Sequence, residues 1–313
     1  MFDSFTEDYD FPPYRPPNEA ASALIRVTRG CPWNRCQFCA MYKDLKFHIR
    51  DIENVKKDID TAARIYKGSK SVFIADSDSL VHKDIVEIIE HISSRFPDID
   101  RMTSYARART LRMLGAEKLA KINKAGLTRV HIGLESGDGE TLKFLDKGIT
   151  PEMMIVGGKA AKEGGIKFSF YVLIGAGGKE RLAEHAMESA RVCNEANPDF
   201  IRLRTLVVQH GSLLEEKLKA GSYTQTSPLE KLEEVKLFLE SLEVTDCEFA
   251  SDHFTNNIWL DNRIIYNGIY GHLPLDKESM LAIVESAIVM INSSDSEPVD
   301  ATILYDRGMI SSL

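Results

Sequence analysis

Short apolar runs alternate with amphipathic helical patterns over most of the chain, and this alternation constrains the fold more than any other feature. The strand candidates are residues 23–27, 71–75, 101–104, 129–134, 167–174 and 200–206. Strands that alternate with helices pair in parallel through right-handed crossovers. The pattern therefore predicts an α/β fold, either an open doubly wound sheet or an incomplete barrel. In both, the functional loops follow the carboxyl ends of the strands.

The alternation stops near residue 212, which suggests a change of domain. Beyond it, residues 228–242 and 276–291 have amphipathic helix patterns. Residues 1–20 are interrupted by prolines and lack periodicity. We predict an irregular N-terminal arm over 1–20, an α/β domain over 21–211 and a mainly helical C-terminal extension over 212–313 that caps the sheet.

Charge and hydropathy argue against several classes of function. The net charge of -8 argues against a general nucleic-acid binder, because neutralising phosphates needs clustered Lys and Arg. No uncharged apolar run reaches the roughly 18 residues of a membrane span, and the acidic start lacks the order of a secretory signal. We expect a cytoplasmic protein that acts on a small molecule, with neither a membrane nor nucleic acid as partner.

Three of the five cysteines lie within nine residues, directly after the first strand candidate. Cys31, Cys36 and Cys39 have the spacing C-x4-C-x2-C. An odd, clustered set indicates a metal or redox site rather than a disulfide framework, and soft thiolates suit zinc or an iron–sulfur cluster. Three ligands would leave one iron of a cubane open. A structural zinc site closes with four ligands, and His48 could supply the fourth.

The cysteine loop resembles the signature of the radical S-adenosylmethionine (SAM) superfamily, in which an aromatic residue also precedes the last cysteine. This loop has one residue more than the commoner C-x3-C-x2-C spacing. Four later motifs match in order: residues 103–107 (Thr-Ser-Tyr-Ala-Arg), 131–137 (His-Ile-Gly-Leu-Glu-Ser-Gly), 142–148 (Leu-Lys-Phe-Leu-Asp-Lys-Gly) and 172–178 (Val-Leu-Ile-Gly-Ala-Gly-Gly). The resemblance covers about residues 20 to 210 and is to the branch with oxygen-independent coproporphyrinogen oxidase and methylthiotransferase-type enzymes.

This resemblance implies a partial (β/α)6 barrel with a 4Fe-4S cluster on the three cysteines and SAM at the mouth of the barrel. In the family, reduction splits SAM into methionine and a 5′-deoxyadenosyl radical that abstracts hydrogen, with a donor such as flavodoxin or ferredoxin supplying the electron. The cofactors perform the difficult chemistry, and the protein places them. Two alternatives are a non-catalytic delivery protein, like the haem chaperones of this fold, and a zinc-stabilised α/β protein.

The resemblance also implies roles for residues in the first half of the chain. Phe38 would lie against the adenine of SAM, although it could simply pack under the loop. Asp76 and Ser77 follow the second strand, where relatives bind the SAM ammonium group; the alternative is a helix N-cap. Ser104 and Arg107 would bind the methionine carboxylate or the ribose.

Two further motifs follow the fourth and fifth strands. Glu135 would bind a ribose hydroxyl pair or the methionine ammonium group, or be a solvated loop acid. Gly175, with Ala176 and Gly177, would let the backbone approach the adenosine, or form a tight strand-to-helix turn.

Arginines on the sixth strand indicate an anionic ligand. Arg202 and Arg204 are two apart and therefore face one side of the strand, and guanidinium groups bind carboxylates and phosphates bidentately. With Arg107 they would form a basic inner wall for the substrate, and Arg204 is also a cofactor-binding candidate. The alternative is pairing with acids such as Asp76 or Glu135. His253, in a polar segment of the C-terminal part, is the candidate proton donor, or else belongs to a helix cap.

Overall fold

The computed structural model describes residues 5–6 and 14–310 of the chain. The α-helices are α1 (Ile52–Ile65), α2 (Ile85–Arg95), α3 (Ala108–Ala125), α4 (Gly139–Phe144), α5 (Pro151–Glu163), α6 (Leu182–Ala196), α7 (Leu213–Lys219), α8 (Pro228–Glu240), α9 (Lys277–Asn292) and α10 (Ala301–Asp306). The strands are β1 (Ala23–Arg26), β2 (Thr28–Arg29), β3 (His48–Ile49), β4 (Ser71–Ala75), β5 (Arg101–Tyr105), β6 (Arg129–Glu135), β7 (Lys167–Ile174), β8 (Phe200–Thr205), β9 (Cys247–Ala250), β10 (Ile258–Leu260), β11 (Arg263–Tyr266), β12 (Tyr270–Leu273) and β13 (Val299–Asp300).

Within the described residues, eight strands form a mostly parallel sheet in the order β1-β4-β5-β6-β7-β8-β9-β12. The first six are the six strands that the sequence predicts. Their spatial order follows their chain order, whereas a doubly wound sheet reverses direction at a switch point. The fold is therefore the α/β partial barrel that the resemblance implied, and the alternative of a doubly wound sheet is excluded.

The chain divides into two compact units, the first of which comprises the described residues of 1–34, 41–132 and 156–168. Its parallel strands have fully buried apolar side chains, including Ile25, Phe73 and Ile74, as expected for strands covered on both faces. Helix α1 begins after Asp51, whose carboxylate accepts the backbone N–H groups of Glu53 and Asn54 and so satisfies free donors of the first turn.

The second unit comprises residues 35–40, 133–155 and the described residues from 169 onwards. In it, β7 and β8 pair in parallel from Ser169 with Phe200 to Ile174 with Thr205. Helix α8 begins with a capping box, in which Ser227 and Glu230 each bind the other's backbone N–H. The predicted division at residue 212 is not tested by these units and stays a prediction, and residues 1–4 and 7–13 of the predicted arm lie outside the described part.

The region after residue 212 contains helices α7 to α10, and the two predicted helices are α8 and α9. It also contains strands β9 to β13, which the sequence did not predict. β9 pairs in parallel with β8, and β12 pairs with β9 in antiparallel. These strands have two to four residues, too short for a clear alternation of apolar and polar residues. Among the described residues, no helix is both long and apolar enough to span a bilayer.

Candidate active site

The first cysteine of the loop follows a glycine whose backbone is held on both sides. The Gly30 N–H donates to Asp76 Oδ2 at 2.9 Å, and the Gly30 carbonyl accepts from Ser77 Oγ at 2.8 Å. Gly30 has φ +78°, a conformation that side-chain-bearing residues rarely adopt. The turn after β4, which the sequence assigned to SAM binding, therefore contacts the start of the cysteine loop directly.

Asp76 is buried and faces a guanidinium group. Its Oδ1 lies 3.4 Å from Arg26 Nε, and Asp76 is 1% exposed. Burial raises the pKa of the Asp76 carboxyl, while Arg26 and the Gly30 N–H act in the opposite direction. Of the residues for which a helix N-cap was the alternative, Asp78 is the N-cap residue of the short 3-10 helix Ser79–Val81, although its side chain makes no capping bond there.

The next acid of the same turn, Asp78, binds the start of α3. It accepts from the Thr110 hydroxyl at 2.6 Å and from the Arg107 N–H at 3.3 Å. Burial raises the pKa of Asp78 to about 6. The Arg107 guanidinium lies over the ring of Trp33, 5.5 Å from its centroid, a distance typical of a cation–π contact. Arg107 is thus placed against the cysteine loop, and its role toward SAM stays a prediction.

Cys36 and Cys39 lie in a turn of the second unit. The Cys39 N–H donates to the Cys36 carbonyl at 3.3 Å. Gln37 anchors the turn, because its N–H donates to the Leu145 carbonyl at 2.9 Å and its carbonyl accepts from the Leu214 N–H at 3.1 Å. Leu145 and Leu214 are both fully buried, so this half of the loop is attached to packed structure.

Phe38 is half-buried and packs against an apolar cluster that contains Leu145 and Tyr223. The Lys147 ammonium lies 6.0 Å from the centroid of its ring. The structure therefore places Phe38 in packing contacts of the loop, the alternative given above. Its contact with adenine stays a prediction.

The chemistry of the three thiols fits an iron–sulfur cluster. Cys31, Cys36 and Cys39 are partly exposed, and none forms a disulfide. Cys193 and Cys247 are buried instead, and burial together with the neighbouring Cys247 raises the pKa of the Cys193 thiol, which disfavours the thiolate needed for metal binding. In the described residues, no three His, Cys, Asp or Glu side chains already converge as a metal site.

The Glu135 side chain makes a partly buried ion pair. Its Oε1 lies 2.7 Å from Lys147 Nζ, and Glu135 has φ +62°, a conformation uncommon for residues other than glycine. Such backbone strain is characteristic of functional sites. The alternative of a solvated loop acid is wrong for this carboxylate, whose side chain is 13% exposed. Its binding to SAM stays a prediction, and its ion pair is with Lys147 instead of the arginines that the sequence offered as partners.

The residues after Glu135 contact helix α6 and Arg181, the residue that directly precedes this helix. Gly137 approaches α6 so closely that a Cβ there would lie 2.2 Å from the Glu188 carbonyl oxygen. Ser136 Oγ lies 2.8 Å from Nδ1 of His185, which is 1% exposed. Asp138 caps α4 and accepts from Arg181 at 2.7 Å.

Electrostatics at Asp138 agree with that pairing. Burial acts to raise the pKa of Asp138, but hydrogen bonds from Arg181 and Thr141 outweigh it and lower the pKa to about 2. Asp138 therefore stays ionised and bound to Arg181 throughout the physiological range.

The turn after β7 is held by side chains from later in the chain. The Gly175 N–H donates to both carboxylate oxygens of Glu234, at 2.9 and 3.1 Å, and the Gly175 carbonyl accepts from the Tyr223 hydroxyl at 2.8 Å. Glu234 Oε1 also lies 3.1 Å from His185 Nε2. These are the contacts of a tight, packed turn, and the approach of adenosine to Gly175 stays a prediction.

Ser104 is fully buried on β5. Its hydroxyl lies 3.0 Å from the Ile74 carbonyl and 2.9 Å from the Tyr105 carbonyl. The structure thus gives the Ser104 hydroxyl backbone acceptors, and its contact with SAM stays a prediction.

Arg204 lies beside an aromatic ring and a histidine. Its guanidinium is 5.5 Å from the centroid of Tyr171. Burial, and then the charge of Arg204, lower the pKa of His253 to about 4, so the imidazole is neutral at pH 7. His253 Nδ1 accepts from the Thr255 N–H at 3.4 Å and caps a short 3-10 helix. The cap that the sequence offered as the alternative is therefore present, and proton donation by His253 stays a prediction.

Sequence reasoning missed Trp33, Lys147, Tyr223 and Glu234. Trp33 and Lys147 lie inside motifs that carry the family resemblance. The aromatic ring of Trp33 and the charge of Lys147 were therefore local signals of a functional site. Tyr223 and Glu234 lie 48 and 59 residues after Gly175. No local pattern connects residues so far apart.

Comparison with known proteins agrees with this architecture. The model of the Radical SAM superfamily matches residues 25–188, just over half of the chain. The crystal structure of methylornithine synthase covers 93% of this chain and 77% of that one with a TM-score of 0.52. At 17% identity, this similarity supports the fold alone.

Two curated relatives are similar in sequence. An uncharacterized methyltransferase of Pyrococcus horikoshii is 27% identical over 223 residues, 67% of this chain and 46% of that protein. A GTP 3′,8-cyclase of Listeria monocytogenes is 29% identical over 144 residues, 45% of this chain and 41% of that protein. The chain thus spans less than half the length of either relative.

Proposed function

The chain belongs to the radical SAM superfamily, and from that premise we propose that it is an enzyme whose radical chemistry acts on a small anionic substrate. The 4Fe-4S cluster and SAM are the cofactors of the family, and Cys31, Cys36 and Cys39 would hold the cluster. When bound, the reduced cluster would supply the electron that splits SAM into methionine and a 5′-deoxyadenosyl radical able to take a hydrogen atom from the substrate. A protein such as flavodoxin or ferredoxin would deliver that electron.

The observation that carries the proposal is the cysteine loop itself. Three partly exposed thiols follow the first strand of a partial barrel, with four and two residues between them. Three thiolates suit a cubane with one iron left for a cofactor, whereas a structural zinc site closes with four ligands. Family membership also favours an enzyme with a cluster over the zinc-stabilised protein and over the non-catalytic delivery protein.

Two observations on β8 support an anionic substrate. The Nε of Arg202 is buried and has no hydrogen-bond partner among the described residues, and a buried donor without a partner is costly. Two acids that the sequence offered as partners for the arginines make other ion pairs: Asp76 faces Arg26 and Glu135 faces Lys147. A carboxylate or phosphate of a substrate would satisfy the buried Arg202 Nε.

Activity after anaerobic reconstitution tests the core of the proposal. We expect about four irons and four sulfides per chain, and release of 5′-deoxyadenosine on reduction in the presence of SAM. Cys31→Ala, Cys36→Ala and Cys39→Ala should abolish both, whereas Cys193→Ala should keep the iron. Bound zinc without sulfide, or a full cluster in the Cys36→Ala variant, would overturn the proposal.

The anionic substrate is tested separately. GTP is the first probe, because a relative is named for it, followed by small carboxylates and by neutral analogues. Addition of the correct anion should raise 5′-deoxyadenosine release above the uncoupled background. Arg204→Glu should raise its KM at least tenfold, since such a charge contact is worth more than 1.4 kcal/mol. Arg191→Glu, the same change on α6, should not. Stimulation by neutral analogues only would reject an anionic substrate.

A further inference from the structure

We propose that Asp76 and Ser77 are positioning residues that fix the peptide before Cys31, and that the Asp76 carboxylate is not a ligand of the SAM ammonium group. This inference rests on the proposed function, because Cys31 is taken as a ligand of the cluster. It concerns only how the first unit of the chain holds that ligand.

The hydrogen bonds of Asp76 and Ser77 to Gly30 continue the pairing of β1 with β4 beyond the ends of the two strands. Parallel pairing ends at Arg26 opposite Ala75, and the Val27 N–H still donates to the Ala75 carbonyl at 2.8 Å. Side chains then replace the backbone: the Asp76 N–H approaches Thr28 Oγ1 at 3.4 Å. The bonds of Asp76 and Ser77 to Gly30 complete this series one residue before Cys31.

The two bonds hold opposite ends of one residue. Asp76 accepts the Gly30 N–H, and Ser77 donates to the Gly30 carbonyl, so the backbone leading into Cys31 cannot rotate freely. A carboxylate that accepts a backbone N–H makes a strong, charge-assisted bond. Gly30 has no side chain, and its φ of +78° takes it out of the strand, so ordinary strand pairing could not fix it.

The burial of Asp76 disfavours a direct role with SAM. Asp76 is 1% exposed, its Oδ2 binds Gly30 and its Oδ1 faces Arg26 at 3.4 Å. Oδ1 accepts no hydrogen bond among the described residues, but it is closed to solvent and lies beside a guanidinium group, so an ammonium group would have to enter a buried site next to a like charge. Ser77 is less buried than Asp76; its hydroxyl donates its one proton to the Gly30 carbonyl, and this bond orients the Ser77 side chain toward Gly30.

Cluster release tests the inference in the reconstituted protein. In the absence of SAM, an iron chelator should bleach the cluster of Asp76→Ala and Ser77→Ala about tenfold faster than that of the wild type, because each variant frees one end of Gly30. SAM affinity per loaded cluster, measured from the change in the electron paramagnetic resonance spectrum of the reduced cluster, should stay within about twofold. Asp76→Asn keeps an oxygen for the Gly30 N–H and should restore a rate near that of the wild type.

Ser79→Ala is the matched control, because Ser79 lies in the same turn and its hydroxyl binds the Ile74 carbonyl instead of Gly30. It should bleach at the rate of the wild type. A normal bleaching rate together with SAM affinity reduced more than tenfold in Ser77→Ala would identify a SAM ligand and overturn the inference. Equal acceleration in Ser79→Ala would reduce the effect to general loosening of the turn, which also overturns it.

Thiol reactivity separates this inference from the proposed function. In cluster-free protein, alkylation of Cys31 should be faster in Ser77→Ala than in the wild type, while alkylation of Cys39 should not change. This result would support the positioning role even if the wild type released no 5′-deoxyadenosine and the proposed function failed. Unchanged Cys31 reactivity in both Ser77→Ala and Asp76→Ala would overturn the inference even if the enzyme were active.

Discussion

The turn after β4 and the turn after β7 occupy the same position relative to their strands, yet they are stabilised in opposite ways. In the first turn, side chains of the turn itself reach outwards: Asp76 and Ser77 bind Gly30, and Asp78 binds Thr110. In the second, the turn offers only its backbone at Gly175, which Glu234 and Tyr223 bind from the C-terminal part of the chain.

The difference shows how two cofactor-binding candidates of one fold can depend on different parts of the sequence. An acidic turn carries its own hydrogen-bonding groups and can hold a neighbouring loop. A glycine turn has no polar side chain, so its shape depends on groups supplied from elsewhere. Removing those groups should therefore lower the free energy of unfolding most at the second turn. At the first turn, the free energy of unfolding should depend more strongly on pH.

The largest expected effect is at Glu234. Glu234→Ala should lower the free energy of unfolding by about 2–5 kcal/mol, because it leaves the Gly175 N–H and the buried His185 without their partner. Denaturant unfolding measures this loss. Glu230→Ala, which removes the capping-box acid of the same helix, should cost only about 1 kcal/mol. Equal costs for the two variants would contradict the dependence of the second turn on Glu234.

Asp78 should make the first turn sensitive to pH. Its pKa of about 6 in the folded protein exceeds the 3.8 of an unperturbed aspartate, so the folded state binds the proton more tightly than the unfolded state. The advantage is complete below about pH 4 and is lost as the pH rises through 6, a loss of about 3 kcal/mol at about 1.36 kcal/mol per unit.

The free energy of unfolding of the wild type, relative to Asp78→Asn, should therefore fall between pH 4 and pH 7. Denaturant titrations at each pH measure the difference. The difference in the free energy of unfolding between the wild type and Ser79→Ala should not change with pH, since the Ser79 hydroxyl does not titrate in this range. A flat difference for Asp78→Asn as well would show that the first turn does not bury a charge.

The smallest effect is expected at Tyr223. Tyr223→Phe removes the hydroxyl that donates to the Gly175 carbonyl and should lower the free energy of unfolding by about 1 kcal/mol. Tyr270→Phe, at a side chain that is 66% exposed, should change it by less than about 0.5 kcal/mol. If the two variants were equally stable, the second turn would depend on Glu234 alone.

Much of the fold followed from local pattern. The strands β4 and β7 have the bounds that the sequence predicts, because strands buried on both faces are made mostly of apolar residues. The family followed from short motifs, of which the cysteine spacing is the most specific. The short strands β9 and β12 were missed, since their partners in the sheet, and not their own residues, make them strands.

The amino-acid sequence determined the order of strands and helices, the three thiols and the acids of the first turn, because those signals lie within a few residues of one another. Tertiary structure decided where these groups point. It placed Asp76 against Gly30, 46 residues away along the chain, and joined Gly175 to Glu234 across 59 residues. Such pairs form only when folding brings distant backbone groups out of water and each needs a partner.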